Sequence, residues 1–242
     1  MTLIPQHDPM GRAIADFFEK GSCTHPLRVR SDMFDDDEMP VPTLFRTEQE
    51  MNVLERSALN LCRGRVLDVG AGAGCHSLAL QARGLEVTAI DISPCSVETM
   101  RRRGVERALC ADFFADAVGT DFDTLLLLMN GIGIAGRLER LPDFFERAKS
   151  LLAKGGQVLF DSSDLRYIYE NEDGAFEPDA DEPYYGEVDF RMEYGKVKGA
   201  RFDWLYVDFD TLKAQAAAAG LRAELLLEGD HYDYLARLVA DV

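Results

Sequence analysis

Val66-Leu67-Asp68-Val69-Gly70-Ala71-Gly72-Ala73-Gly74 is an apolar run of strand character that breaks into glycine at alternate positions just before a helical pattern opens at Cys75. Glycine, lacking a Cβ, lets the backbone turn tightly and lets a ligand come close to the main chain. Two ligand classes use such a turn, and spacing bears on the choice. The dinucleotide fingerprint G-x-G-x-x-G/A wants its third small residue at Cys75, whereas here the third glycine comes one position early, at Gly74. Asp68 stands two residues before the first glycine. A carboxylate at that strand end would face the anionic pyrophosphate of a dinucleotide but would attract a cation. A positively charged ligand is therefore expected, with a nicotinamide-type oxidoreductase as the competing reading.

On either side of this stretch, short apolar runs alternate with helical patterns. Strands are expected at Arg65 to Val69, Glu86 to Ile90, Glu106 to Cys110, Phe122 to Met129 and Gln157 to Phe160, with helices at Cys75 to Arg83, Pro94 to Arg103 and Leu141 to Ala153. Nearly continuous apolar strands separated by helices predict an α/β fold whose parallel sheet is covered on both faces. Ser93-Pro94 supplies an N-cap and a first-turn proline, which starts a helix directly after Asp91. Past Asp161 the alternation is interrupted: Tyr167 to Phe190 carries nine acidic side chains and no Lys or Arg, and reads as a loop. Glu187 to Tyr194 and Ala200 to Val207 read as a hairpin, Asp210 to Ala219 as a helix, and Leu221 to Leu227 and Tyr232 to Val239 as closing strands. Ahead of all this lie two helical patterns, Pro9 to Lys20 and Arg46 to Leu61; in the second, Met51, Leu54, Ala58 and Leu61 form one apolar stripe. That segment reads as a cap.

Asp68 to Gly74 resembles the first motif of the class I S-adenosylmethionine (SAM)-dependent methyltransferases, and the order of elements extends the resemblance from about Gly64 to Val242. It implies a Rossmann-like, doubly wound, mostly parallel seven-stranded sheet with a C-terminal antiparallel hairpin. An N-terminal helical cap (1–63) and an inserted β-hairpin lid (165–207) would complete a domain spanning 64–242. The implied cofactor is SAM, cradled by Asp68, Gly70, Ala71, Gly72 and Gly74. Asp91, 21 residues after Gly70, matches the family's ribose-binding acid, and Ile92 the apolar residue packed on adenine. Asp112 matches the acid that accepts from the adenine amino group, and the next backbone N–H, of Phe113, would meet a ring nitrogen. Met129 and Asn130 match the segment lining the methionine portion and the path of the methyl group. Leu151 to Phe160 resembles the family's L-x-P-G-G turn, with Lys154 in place of the proline and both glycines kept.

The charge balance narrows the partners. With 26 Lys and Arg against 43 Asp and Glu, the net charge is -17. Such a chain would repel a phosphate backbone, whose binding rests on cationic contacts, so nucleic acid is not expected as a partner. No run of apolar residues is long enough to span a membrane and no signal-peptide pattern opens the chain. The five cysteines never form a C-x-x-C pair, so no zinc site is signalled. A cytoplasmic enzyme that methylates a small molecule at nitrogen or oxygen is expected, with a non-catalytic SAM-binding protein as the alternative; no metal is expected and oligomeric state is open. For a base, His231 in Gly229-Asp230-His231-Tyr232-Asp233 is the candidate, and His76 reads as a packing residue. Asn130, Tyr184, Tyr185 and His231 are the candidates for acceptor binding. The acidic run from Glu170 to Asp189 would suit a cationic acceptor, or would simply be a solvated face.

Overall fold

The computed structural model describes residues 2–170 and 183–240. In chain order its regular elements are α1 (Pro9–Lys20), β1 (Leu27–Arg30), β2 (Asp37–Met39), α2 (Val53–Leu61), β3 (Arg65–Val69), α3 (Cys75–Ala82), β4 (Glu86–Asp91), α4 (Pro94–Arg103), β5 (Ala108–Cys110), β6 (Phe122–Leu127), α5 (Leu141–Leu151) and β7 (Leu152–Ser163). They continue with β8 (Glu187–Tyr194), β9 (Val197–Lys198), β10 (Phe202–Leu205), α6 (Phe209–Ala218), β11 (Leu221–Glu228) and β12 (Asp233–Ala240). Most of the acidic run from Glu170 to Asp189, namely 171–182, lies outside the described residues.

The main sheet has seven strands in the order β11-β12-β7-β6-β3-β4-β5. Strands β3 to β7 run parallel, and β12 lies antiparallel between β7 and β11. Because the shared strands are buried on both faces, successive apolar side chains serve different cores. Leu67, Leu125, Leu127, Val158 and Phe160 pack toward α5 and α6 with Phe144, Phe145 and Leu212. Val66, Leu126 and Leu159 point the other way, toward Leu54, Ala58 and Leu80 of α2 and α3. Parallel strands put all their C-terminal ends on one edge. The Gly70 turn, Asp91, the 111–113 segment, Met129 and the end of β7 therefore converge there. The β11–β12 turn joins them, since Asp233 pairs with Ser163.

A second, antiparallel sheet of five strands stands over this edge, in the order β10-β8-β1-β2 with β9 on β8. Its core member β8 is the first strand of the expected lid hairpin. β1 and β2 were not expected. Leu27-Arg28-Val29-Arg30 alternates over only four residues and Asp37-Glu38-Met39 not at all; β1 forms against β8, Leu27 opposite Tyr194 and Val29 opposite Met192, and β2 adds to β1. Propensity yields to tertiary pairing. The cap and lid are thus one structure. The helical pattern from Arg46 is also interrupted: a 3₁₀ turn spans Glu48–Glu50, and α2 begins only after Asn52. Asn52 and Glu55 form a capping box, each side chain accepting from the other's backbone N–H at 2.9 and 3.0 Å.

Candidate cofactor and acceptor site

The glycine turn is bound to its neighbour strand, Gly70 and Ala71 both donating to the Ile90 carbonyl at 2.9 and 3.0 Å. Gly70, Gly72 and Gly74 all have positive φ, between 56° and 81°, a region costly for other residues. Their surroundings differ. A Cβ on Gly74 would lie 2.9 Å from Val105 and 3.1 Å from Met100, so this glycine lets α3 close onto α4; a Cβ on Gly70 would meet nothing within 4 Å. The turn therefore shows open backbone on its outer side.

Asp91 ends β4 beside that opening. Its Oδ2 accepts from Gly72 N–H at 2.9 Å and its Oδ1 from Ser93 N–H at 2.8 Å. Burial pushes its pKa up to about 6, against the amide bonds from Ser93 and Gly72 and with help from the charges of Asp8 and Asp68. Each carboxylate oxygen keeps a lone pair for a ligand. Ile92, next along, is 40% exposed. The N-terminal segment crosses here: Leu3 N–H donates to the Ile92 carbonyl at 2.8 Å, and the Asp8 carboxylate, which caps α1 through Gly11 N–H at 2.8 Å, also accepts from the Ser93 hydroxyl. Ser93 in turn caps α4 through Ser96 N–H at 2.9 Å. Two helix starts are thus tied together beside Asp91.

Asp68 is buried at the start of the turn and accepts from Ser77 Oγ at 2.5 Å; burial raises its pKa. Asp112 is half-buried, and its Oδ1 accepts from Phe114 N–H at 2.9 Å. The Phe113 ring is in the main core, 5.5 Å from Phe144 between centroids, so only its backbone can serve a ligand. After β6, Met129 and Asn130 are consecutive non-glycine residues with φ of 68° and 57°. This strained pair turns the N–H groups of Met129 and Gly131 onto the Asp161 carboxylate, at 3.2 and 3.1 Å. Asp161 is held above its ordinary pKa by burial, against the backbone amides of Asn130 and Gly131.

A cleft of about 450 Å³ opens beside this turn, lined by Thr43, Arg46, Glu50, Asn52, Glu55, Met129 and Asp161. Behind it, Glu55 accepts from both Arg46 and His76, the latter at 2.8 Å. His76 is thereby a buried partner of Glu55. Sequence analysis missed Arg46, Glu55 and Asp161. Only Asp161 left a sign: it is the residue immediately after the apolar run Val158 to Phe160, as Asp91 follows Ala89-Ile90 at the end of β4.

The acceptor candidates are scattered. Asn130 Nδ2 donates to the Leu205 carbonyl at 3.1 Å, while its Oδ1 is buried without a hydrogen-bond partner among the described residues. The Tyr184 hydroxyl donates to Asp208 at 2.6 Å, and Tyr185 donates to Asp164 at 2.8 Å. These bonds tie both tyrosines to carboxylates of the scaffold. His231 is exposed on the β11–β12 turn, its N–H donating to Asp233 at 3.0 Å. Tyr206, just past β10, is raised to about 12 by burial and then by Tyr167 and Asp161, so it shares the electrostatic environment of the cleft.

The sole tryptophan in the chain, Trp204, fastens the lid. A Cβ on Gly133 would overlap its indole ring. Gly133→Ala is expected to cost about 1–3 kcal/mol through overpacking and to shift the single-tryptophan emission to the red as the indole is pushed into water. Unchanged emission and an unchanged melting temperature would contradict this packing.

Known proteins agree with this architecture. Residues 66–156 match the family model described as a methyltransferase domain. A SAM-dependent methyltransferase from Bacteroides fragilis, solved in complex with S-adenosyl-L-homocysteine, is 54% identical, superposes with a TM-score of 0.94, and is matched over 100% of this chain and 98% of that one. The ubiquinone biosynthesis O-methyltransferase of Xylella fastidiosa (strain 9a5c) is 33% identical over 102 residues, 41% of this chain and 42% of that protein. The chain thus spans less than half the length of the curated relatives it matches. The CcbJ methyltransferase from Streptomyces caelestis, at 14% identity and a TM-score of 0.64 over 97% of this chain and 98% of that one, shares the fold. With identity above one half along nearly the whole of both chains for the Bacteroides fragilis protein, the open glycine turn and its neighbouring carboxylates sit in a chain that belongs to the SAM-dependent methyltransferase family.

Proposed function

We propose that this protein transfers a methyl group from SAM to the nitrogen or oxygen of a small-molecule acceptor. The observation that carries the reading is the pairing of an open glycine turn at Gly70 with the Asp91 carboxylate, whose oxygens accept from the backbone amides of Gly72 and Ser93. The residues fit the cofactor in kind. Asp91 suits a ribose diol, since one carboxylate accepts two charge-assisted hydrogen bonds. Ile92 offers an exposed apolar side chain for a purine face, and Asp112 with the Phe113 backbone offers an acceptor and a donor for its edge. Asp68 and Asp161 place negative charge near a cation, and Arg46 gives the cleft a guanidinium suited to an aminoacyl carboxylate. When bound, SAM supplies an electrophilic methyl on a sulfonium.

The chain's own contribution is alignment and exclusion of water. Met129 and Asn130, fixed by Asp161 and by the Leu205 carbonyl, hold one wall, and the five-stranded cap and lid cover the edge. We assign residues 64–242 to the methyltransferase domain, with 1–63 as its cap and 165–207 as its lid. Among the described residues no helix is long and apolar enough to cross a membrane.

Titration calorimetry with S-adenosylhomocysteine, run beside NADH, tests the cofactor. Binding of the first and not the second is expected. The reverse would restore the oxidoreductase reading. Labelled SAM offered with small metabolites tests the transfer, and cofactor binding without label in any product would favour a non-catalytic SAM-binding protein.

A further inference from the structure

We propose that Asp8 is a positioning residue for the cofactor: from the N-terminal segment it holds Ser93, and through Ser93 the Asp91 carboxylate, in the orientation that receives the ribose diol. This rests on the SAM-binding reading above. Asp8 is fully buried. One of its oxygens accepts from Gly11 N–H at 2.8 Å and the other from the Ser93 hydroxyl. A buried carboxylate is costly unless donors or positive charge compensate it. Two helix N-termini do so here, since Asp8 caps α1 and Ser93 caps α4. The approach is close enough to require Gly11, where a Cβ would overlap both the Ser93 hydroxyl and the Asp8 carboxylate.

Ser93 is where this latch meets the site. Its hydroxyl oxygen accepts from Ser96 N–H at 2.9 Å, and its single proton is committed to Asp8. Its backbone N–H donates to Asp91 Oδ1 at 2.8 Å, while Gly72 N–H holds Oδ2 at 2.9 Å. Two amides on two oxygens fix the plane of the carboxylate, and displacing Ser93 would free one of them. Next to Ser93, the Ile92 carbonyl accepts from Leu3 N–H at 2.8 Å. The N-terminal segment thus grips both residues that follow Asp91. α1 itself is anchored elsewhere: Ala13 and Ile14 are buried with Leu27, Val41 and Tyr194, and the Tyr194 hydroxyl donates to Asp16 at 2.9 Å. It therefore keeps its place when Asp8 is changed.

Asp8 also acts on Asp91 through its charge. Burial is the main reason the Asp91 pKa is raised; the amides of Ser93 and Gly72 oppose it, and the charges of Asp8 and Asp68 add to it. Cys110, opposite Asp91 on β5, is the remaining titratable neighbour, with Arg101 and Asp116 acting on it in turn, while Cys95 and Arg12 stand with Asp8. Asp8 therefore both orients Asp91 and raises the pH at which it ionises. Asp8→Asn separates the two effects, because its Oδ1 can accept from Gly11 N–H while its Nδ2 donates to Ser93 Oγ, and only the charge is lost.

The intact protein and its Asp8→Asn and Asp8→Ala variants test this by two measurements. One is S-adenosylhomocysteine affinity by calorimetry from pH 5 to 8. The other is the ionisation of Asp91 followed at its carboxyl carbon by NMR, the signal being identified by its loss in Asp91→Asn. In Asp8→Asn the ionisation midpoint and the acid-side fall in affinity are both expected to move down by at least about half a pH unit as a like charge is removed. At pH 8 Asp8→Ala is expected to bind about tenfold more weakly because Ser93 has lost its partner, and Asp8→Asn to recover most of that loss. A merely structural role would lower affinity by one factor at every pH and leave the midpoint in place. An unmoved midpoint in Asp8→Asn overturns the proposal, and so does undiminished affinity of Asp8→Ala at pH 8. Should Asp8→Ala fail to fold, the Asp8→Asn midpoint decides alone. Failure of S-adenosylhomocysteine to bind even the unsubstituted protein strikes the SAM-binding reading, and the NMR midpoint, which needs no ligand, keeps that outcome distinct from failure of the latch.

Discussion

Glu55→Ala is expected to lower the unfolding free energy by about 3–5 kcal/mol and the melting temperature by roughly 10 °C. The size follows from what the carboxylate holds and how dry it is. Glu55 is 3% exposed, and its partners Arg46 and His76 are 9% and 6% exposed. One oxygen serves both of them, and the other caps α2 through Asn52 N–H at 3.0 Å. Alanine would leave a guanidinium buried without its counter-charge and remove a helix cap, itself worth about 1 kcal/mol. Glu48 provides the comparison. It also pairs with an arginine, Arg83, but its side chain is 39% exposed, so Glu48→Ala is expected to cost less than about 1 kcal/mol. The double change Arg46→Met with Glu55→Leu should recover much of the loss, since apolar residues fill a buried ion pair's space without its desolvation cost. Chemical denaturation of the variants decides it. A Glu55→Ala cost no greater than that of Glu48→Ala would mean that this network is solvated.

This network also shows where sequence reading stops. The parallel sheet was legible because β3, β4, β6 and β7 each carry a short buried apolar stretch, Val66-Leu67, Ala89-Ile90, Leu125 to Leu127 and Val158 to Phe160; the turn after β3 was legible because its backbone angles demand glycine. Asp91 could be placed because Ser93-Pro94 marks a helix start just beyond it. Glu55 could not be placed. Its partners are Arg46, nine residues earlier, and His76, 21 residues later, and their meeting depends on how α2 docks beside α3. β1 and β2 failed for the same reason, β1 being a strand by virtue of β8 and β2 by virtue of β1. The second half of the site is built from such long-range contacts: Asp161 with the Met129–Gly131 turn, Asn130 with Leu205, Gly133 with Trp204. A cofactor cradle made of one turn and the strand ends beside it can be read from local spacing. An acceptor pocket made by a lid folding over them cannot.

Asp91→Ala is expected to weaken S-adenosylhomocysteine binding by about 1.5–3 kcal/mol through the loss of charge-assisted bonds, roughly 10- to 150-fold in Kd. Tyr185→Phe should leave that affinity unchanged, because the Tyr185 hydroxyl bonds Asp164 and Asp208, carboxylates outside the glycine turn. The pH dependence separates a direct role for Asp91 from a merely structural one. Burial lifts its pKa from 3.8 to about 6, so the charged form that accepts from a diol is depleted as pH falls through 6, and affinity should drop with it. The effect on folding has the opposite sign. A carboxylate whose pKa is raised by folding binds protons more tightly in the native state, so its contribution to stability is fullest below 3.8 and is lost as pH rises through about 6. From pH 5 to 8 the unsubstituted protein should therefore gain affinity while this one group's share of its stability declines, and Asp91→Ala should flatten both trends. Calorimetric affinities and denaturation midpoints at four or five pH values would show it. Should Asp91→Ala keep the acid-side loss of affinity, the titrating group lies elsewhere, and the turn's hold on the sugar would have to be assigned to another residue.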